Sequence, residues 1–116
     1  MSNTDKLTEA LITFRNERDW EQFHNPKDLA IALSLEASEL LENFLWKQPH
    51  EADIEKIKEE LADVFAYALL IAKHYELNVD DIVMKKIAQN ALKYPADKPK
   101  AVPKDTPNYD RLPAKL

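Results

Sequence analysis

The sequence predicts an all-α protein made of a four-helix subunit and an extended, proline-rich C-terminal tail. Apolar residues recur at helical spacing in four separate runs, which is the primary signal for amphipathic helices. Capping residues and prolines separate these runs. Five of the seven prolines fall in residues 95–116. We therefore predict a helical domain over residues 1–94 and a tail over residues 95–116 that is too polar to pack alone.

The first two helices are predicted from their starting residues. Thr4 is a suitable N-cap, and the apolar positions that follow it repeat every three or four residues, so a helix is expected over about residues 5–21. Asn25 is a second capping residue, and Pro26 takes the first helical position, where proline is well tolerated. The second helix is expected to run to about Trp46.

The third and fourth helices follow an interruption at Pro49. A third helix is predicted over about residues 51–75, and its apolar positions are Ile54, Ile57, Leu61, Val64, Ala68 and Ile71. Asn78 begins a segment that precedes a fourth helix, which is expected to end near Tyr94.

Composition excludes several classes of protein. The 116 residues carry a formal charge of −5 and contain neither glycine nor cysteine. Without glycine there is no P-loop and no dinucleotide-binding fingerprint, and without cysteine there is no disulfide or thiolate metal site. The acidic balance argues against binding a nucleic acid polymer, and no apolar run is long enough for a membrane. We expect a cytoplasmic protein that would need a cation to handle polyanions.

Paired acids lie inside otherwise apolar helical runs. At about 100° per residue, Glu36 and Glu39 share one sector of the second predicted helix, and apolar residues flank that sector on both sides. Glu60 and Asp63 share a sector of the third helix with Tyr67, again between apolar residues. An ordinary solvated face would not be bounded in this way.

The two acidic pairs are arranged symmetrically about the turn at Pro49. An antiparallel hairpin turning there would place Glu39 opposite Glu60 and Glu36 opposite Asp63. Four carboxylates in a partly apolar groove repel one another and are costly to desolvate, so a positive partner is expected. Oxygen ligation favours a hard cation, Mg²⁺ or alternatively Mn²⁺.

Three other interpretations remain open on this pattern. The acids could be solvent-exposed or paired with lysines of another helix. Glu21 and His24 form one Glu-x-x-His motif, although a di-iron bundle requires two such motifs. Finally, the chain could be a non-catalytic helical dimerisation module, since the apolar positions of the second helix extend almost all round it.

Several motifs together carry a family resemblance. Glu36 and Glu39, twenty intervening residues, then Glu60 and Asp63 resemble the ExxE…ExxD signature of the MazG-like nucleotide pyrophosphohydrolases. Four further stretches resemble the dCTP pyrophosphatase branch of that family: RDWEQFH at 18–24, FLWK at 44–47, EELADV at 59–64 and KYP at 93–95. The resemblance covers residues from about 15 to 95.

This resemblance implies an activity and a set of site residues. The expected reaction is Mg²⁺-dependent hydrolysis of a nucleoside triphosphate, dCTP or a modified dCTP, to the monophosphate and pyrophosphate. The four acids would hold the metal and act in catalysis. The expected substrate contacts are stacking of the base on Trp20 and Trp46 and contact of His24 with the edge of the base. Tyr67 is expected to contact the sugar, and the phosphates are expected to contact Asn90, Lys93 and Tyr94.

The expected assembly is a homodimer or a homotetramer. In a simple up-and-down bundle, the ends of the first and second helices, where Trp20 and Trp46 lie, are on opposite sides. A single base could not stack on both within one chain. The resemblance implies a substrate pocket at a subunit interface, so one tryptophan is expected to come from a neighbouring subunit.

Overall fold

Four α-helices make up the fold of the computed structural model, which describes residues 2–97. They are α1 (Asn3–Glu17), α2 (Pro26–Glu42), α3 (Ile54–His74) and α4 (Val79–Lys93). Short 3-10 helices, Glu21–Phe23 and Pro49–Glu51, lie in the connections before and after α2. The predicted all-α class is confirmed. Most of the predicted tail, residues 98–116, lies outside the described residues.

The first helix begins and ends earlier than its periodicity predicted. Ser2, rather than Thr4, is the N-cap: its hydroxyl accepts a hydrogen bond from the Asp5 amide, and the Asp5 carboxylate accepts one from the Ser2 amide. This reciprocal capping box satisfies two amides that the helix leaves unpaired. At the other end the chain departs from the helix through Asp19, whose φ is 54°.

The second helix starts at the predicted residue and ends four residues early. Asn25 caps it by accepting a hydrogen bond from the Asp28 amide at 2.9 Å. Residues 43–46 then form a turn, and Trp46 has a left-handed backbone with φ of 62°. This conformation is unfavourable for any residue with a Cβ atom. The glycine-free sequence nevertheless uses it here and at Asp19.

The third helix starts later than predicted because Asp53 caps it, accepting a hydrogen bond from the Glu55 amide at 3.0 Å. It ends at His74, and Glu76, with φ of 54°, turns the chain away. The chain forms one compact unit up to Val79 and a second unit that begins at Asp80.

Within the first unit, α3 is the central element. It packs along α2 and also contacts α1. The buried apolar side chains of the unit are Leu29 on α2 and Leu69, Leu70 and Ala72 on α3. The buried residues of α3 lie in its C-terminal half, and the N-terminal half leaves the apolar side chains of Ile54 and Leu61 exposed.

The second unit contains nearly all of α4. Each of its residues from Asp80 to Lys93 is exposed, including the apolar side chains Ile82, Val83, Met84, Ile87 and Leu92. Within residues 2–97, no helix combines the length and apolar character needed to cross a membrane.

Candidate metal and substrate site

Carboxylates from α2 and α3 converge in the first unit. One carboxylate oxygen from each of Glu36, Glu60 and Asp63 can be chosen so that all three lie within 4.8 Å of one another. Glu36 and Glu60 are half-buried, and Asp63 is exposed. We call this group together with Glu39 the acidic cluster. The helical spacing of three residues places each pair on one face of its helix.

Glu39 lies beside the group of three. It is exposed, and its carboxyl group is within hydrogen-bonding reach of both Glu36 and Glu60. The contact between Glu39 and Glu60, with Asp63 close to Glu36, is the arrangement that the antiparallel hairpin predicted. The structure therefore brings the four predicted acids together.

The acidic cluster is electrostatically unfavourable when all its members are ionised. Burial, a hydrogen bond shared with Glu39, and the negative charges of Glu39, Asp63 and Glu60 raise the pKa of Glu36 to about 7. Burial, followed by the hydrogen bond and charge of Glu39, also raises the pKa of Glu60. Two carboxyl groups can share a hydrogen bond only when one of them keeps its proton.

The donor atoms fit a hard cation. Glu36 Oε2 is buried and accepts no hydrogen bond from any described residue. A buried carboxylate oxygen without a donor is costly, and a cation would satisfy it. Because every available ligand is a carboxylate oxygen, the chemistry suits Mg²⁺ or Mn²⁺ rather than a soft metal.

Tyr67 borders the acidic cluster, as its position in the same helical sector predicted. It is half-buried, and its phenol pKa is raised first by burial and then by the charges of Glu36, Asp63 and Glu39. The hydroxyl therefore stays protonated at neutral pH and can donate a hydrogen bond to a ligand.

The predicted base-contacting residues lie before and after α2. Trp20 and His24 precede α2, and Trp46 follows it. Helix α2 has 17 residues, which corresponds to a length of about 25 Å. Trp46 is fully exposed. Trp20 makes an edge-to-face contact with Phe14, with ring centroids 5.7 Å apart.

His24 belongs to a small cavity that sequence reasoning did not detect. The cavity measures about 200 Å³, and we call it the basic cavity; its lining residues are Ile12, Arg15, Glu21, His24, Leu29, Leu70, Lys73 and His74. Arg15 and His74 are 59 positions apart and share no motif, so no sequence signal joined them. A further cavity of about 690 Å³ runs along α1 and the end of α3, and no acid of the acidic cluster lines it.

The Glu-x-x-His motif does not form a metal group. Glu21 is exposed and lies 3.8 Å from Arg15 in an ion pair. Across the part of the chain that the structure describes, the acidic cluster supplies the one group of three or more potential metal ligands. The di-iron interpretation therefore has no support here.

The predicted phosphate-contacting residues lie at the end of α4. The Tyr94 amide donates a hydrogen bond to the Asn90 carbonyl at 2.8 Å, and Lys93 Nζ is 5.4 Å from the centroid of the Tyr94 ring. The three side chains thus occupy about one helical turn, as the sequence indicated.

The fold and the acidic cluster together define an all-α protein with a candidate site for a hard divalent cation. The MazG-like family matches residues 31–107, which is more than half of the chain. The chain belongs to the MazG-like family. This match covers most of α2, all of α3 and all four acids.

The chain is also similar to individual curated proteins. The chain is 37% identical over 90 residues to dCTP pyrophosphatase 1 of Mus musculus, covering 71% of this chain and 53% of the mouse protein. It is 37% identical over 91 residues to dCTP pyrophosphatase 1 of Homo sapiens, covering 72% and 54%. The chain therefore spans about half the length of these curated relatives.

A solved structure is similar over a larger share. The crystal structure of a pyrophosphatase from Archaeoglobus fulgidus superposes with a TM-score of 0.73 at 34% sequence identity. The match covers 82% of this chain and 94% of the archaeal chain. The helical arrangement described above is thus shared with a solved pyrophosphatase.

Proposed function

We propose that this chain is a metal-dependent nucleoside triphosphate pyrophosphohydrolase. It converts a nucleoside or deoxynucleoside triphosphate to the monophosphate and pyrophosphate. The acidic cluster is the observation that carries this proposal, because its geometry suits a cation that would bring phosphates to an acidic protein. The names of the relatives support dCTP or a modified dCTP as the substrate.

Glu36, Glu39, Glu60 and Asp63 are the proposed ligands of Mg²⁺, with Mn²⁺ as an alternative. When bound, the ion supplies neutralisation of phosphate charge and activation of water. The carboxylates would hold the ion, whose charge would offset the burial and the repulsion that raise the pKa values of Glu36 and Glu60. Glu39 lies outside the three mutually close oxygens, so of the four acids we propose it as the one freed from direct coordination to accept the proton of the attacking water.

The remaining predicted residues bind the nucleotide in this proposal. Tyr67 borders the acidic cluster and can donate to the sugar. Trp46 presents a fully exposed ring on which a base can stack. Asn90, Lys93 and Tyr94 offer an amide, an ammonium group and a phenol to the outer phosphates.

The proposed enzyme is a homodimer or a homotetramer. Apolar side chains of α2 and the turn after it are exposed in the single chain, among them Ile31, Leu35, Leu41 and Leu45. A second subunit would cover such a surface. Because Trp20 and Trp46 lie at opposite ends of α2, a base that touches both needs two chains. Mixing Trp20→Ala and Trp46→Ala subunits should then restore activity above that of either variant alone.

Turnover of a panel of canonical and modified triphosphates tests the proposal. We expect pyrophosphate release with Mg²⁺ or Mn²⁺, no release in EDTA, and fastest release from a cytosine deoxynucleotide. If no member of the panel turns over and Glu39→Gln weakens self-association, the chain is instead a dimerisation module.

A further inference from the structure

The basic cavity brings together basic side chains of an acidic protein. Its wall carries Arg15 from α1, Lys73 and His74 from α3, and His24 from the segment before α2. Glu21 is the one acid among the lining residues. The floor is apolar, and the chain as a whole has a net charge of −5. The wall of the cavity therefore has more basic than acidic side chains, in contrast to the chain as a whole.

Arg15 is held in place, but its donors are not fully used. Its side chain is only 15% exposed. The Nε atom donates to Asn16 Oδ1 at 3.3 Å, and Nη2 is 3.8 Å from Glu21 Oε1, which is too long for a hydrogen bond. The Glu21 side chain is 71% exposed. The terminal nitrogens of Arg15 can therefore serve an additional acceptor.

His24 also has an unused polar atom. Its Nδ1 is buried and has no hydrogen-bond partner among the described residues. A buried polar atom without a partner is costly, so such an atom in a native fold requires an explanation. Burial and the charge of Arg15 both lower the pKa of His24. An anion placed between the two side chains would accept from both and reverse that repulsion.

We propose that the basic cavity binds a phosphate group, with Arg15 and His24 as donors, with Lys73 adding positive charge and with His74 as a further polar side chain of the wall. The group is either free phosphate or the phosphate of a nucleotide. A volume of about 200 Å³ accommodates it. The cavity is separate from the acidic cluster, because Asn25, next to His24, is eleven residues and about 16 Å along α2 from Glu36.

An NMR titration of the full-length protein in EDTA tests this proposal without the metal. The imidazole signals of His24 are followed against inorganic phosphate, pyrophosphate, CMP and cytidine. We expect saturable shifts with at least one phosphate compound and none with cytidine. Comparing phosphate with CMP identifies the source, since a free-phosphate site excludes the nucleoside and a nucleotide site favours CMP.

Two arginine variants make the test specific. Arg15→Gln should weaken binding roughly tenfold to a hundredfold, the loss expected for a charge-assisted contact. Arg18→Gln removes the same charge from a residue that lies over the Phe14 ring, outside the cavity, and should leave binding unchanged. Arg15→Lys controls for folding because it retains the charge.

Three outcomes would overturn the proposal. Shifts with cytidine equal to those with CMP would make the cavity a base-binding site, as the sequence predicted for His24. Equal loss of phosphate binding in Arg15→Gln and Arg18→Gln would indicate that binding depends on the overall charge of the protein rather than on the basic cavity. No saturable shift with any phosphate compound would leave His24 Nδ1 bonded to water only.

Discussion

The acidic cluster and the basic cavity both combine half-buried and exposed titratable side chains, yet they are built differently. The acidic cluster comes from two helices, with a spacing of three residues on each. The basic cavity collects its residues from α1, a 3-10 helix, the beginning of α2 and the end of α3. The acidic cluster repeats a spacing that is visible in the sequence, whereas the residues of the basic cavity share no sequence pattern.

The two sites also differ in how their charges are balanced. In the acidic cluster, burial and then the like charges that face one another raise the pKa values of Glu36 and Glu60. In the basic cavity, Glu21 offsets part of the charge of Arg15 in an ion pair of 3.8 Å. The first site therefore depends on an external cation more strongly than the second depends on an external anion.

The largest expected effect is the loss of catalysis in Glu36→Gln. The amide keeps the shape of the side chain and removes its charge, so the site loses a ligand with a buried oxygen. Turnover should fall by more than the roughly 10- to 100-fold that removal of an outer-shell group costs a metal site. Steady-state rates and Mn²⁺ affinity by electron paramagnetic resonance measure this.

Glu55→Gln is the matched control on α3. Glu55 is exposed and pairs only with Lys58, at 3.1 Å. The variant should keep its rate within about twofold, since an exposed pair of this kind contributes little. Equal losses in the two variants would show that overall charge, rather than the acidic cluster, governs the activity.

This contrast explains what could be predicted from the sequence. The helix class, the cap at Asn25 and the convergence of four acids all follow from periodicity and capping chemistry. The ends of α1 and α2 were not predicted correctly from the sequence. Asp19 and Trp46 lie just beyond these ends in left-handed backbone conformations, which a sequence without glycine does not indicate. The cavity around Arg15 and His24 depends on long-range packing, which no local pattern encodes.

Leu29→Ala is expected to give the next largest effect. Leu29 is only 2% exposed and lines the basic cavity from α2. Removing a buried leucine side chain typically costs about 2–5 kcal/mol of unfolding free energy. Urea denaturation measures the change, and Leu7→Ala on the exposed side of α1 should cost far less. A small effect of Leu29→Ala would mean that the α2 and α3 contact is not the core of the unit.

Trp46→Ala should weaken substrate binding with little effect on folding. Its ring is fully exposed, so the single chain gains nothing from it. Loss of stacking on one base costs about 1–3 kcal/mol, which predicts a KM roughly tenfold to a hundredfold higher. Metal affinity should not change. An unchanged KM would remove Trp46 from the substrate site.

The smallest expected effect is the pH dependence of stability without metal. The folded-state pKa of Glu36 is raised to about 7 from 4.5. Its contribution to stability is therefore complete below pH 4.5 and is lost as the pH rises through 7. The loss should be about 1 kcal/mol after allowance for solvent screening.

Chemical denaturation in EDTA at pH 5 and pH 8 measures this effect. The difference between wild type and Glu36→Gln isolates Glu36 from His24, whose lowered pKa acts in the opposite direction. The variant should lose less stability over this interval. Identical pH profiles would show that Glu36 is not under strain in the metal-free protein.

The central claim is that the acidic cluster supports cleavage between the α and β phosphates. Phosphorus NMR of dCTP incubated with the full-length chain and Mg²⁺ tests it most directly. We expect dCMP and pyrophosphate as the only products, with no reaction in EDTA and none with Glu36→Gln. Formation of dCDP and inorganic phosphate, or product release that persists in EDTA, would contradict it.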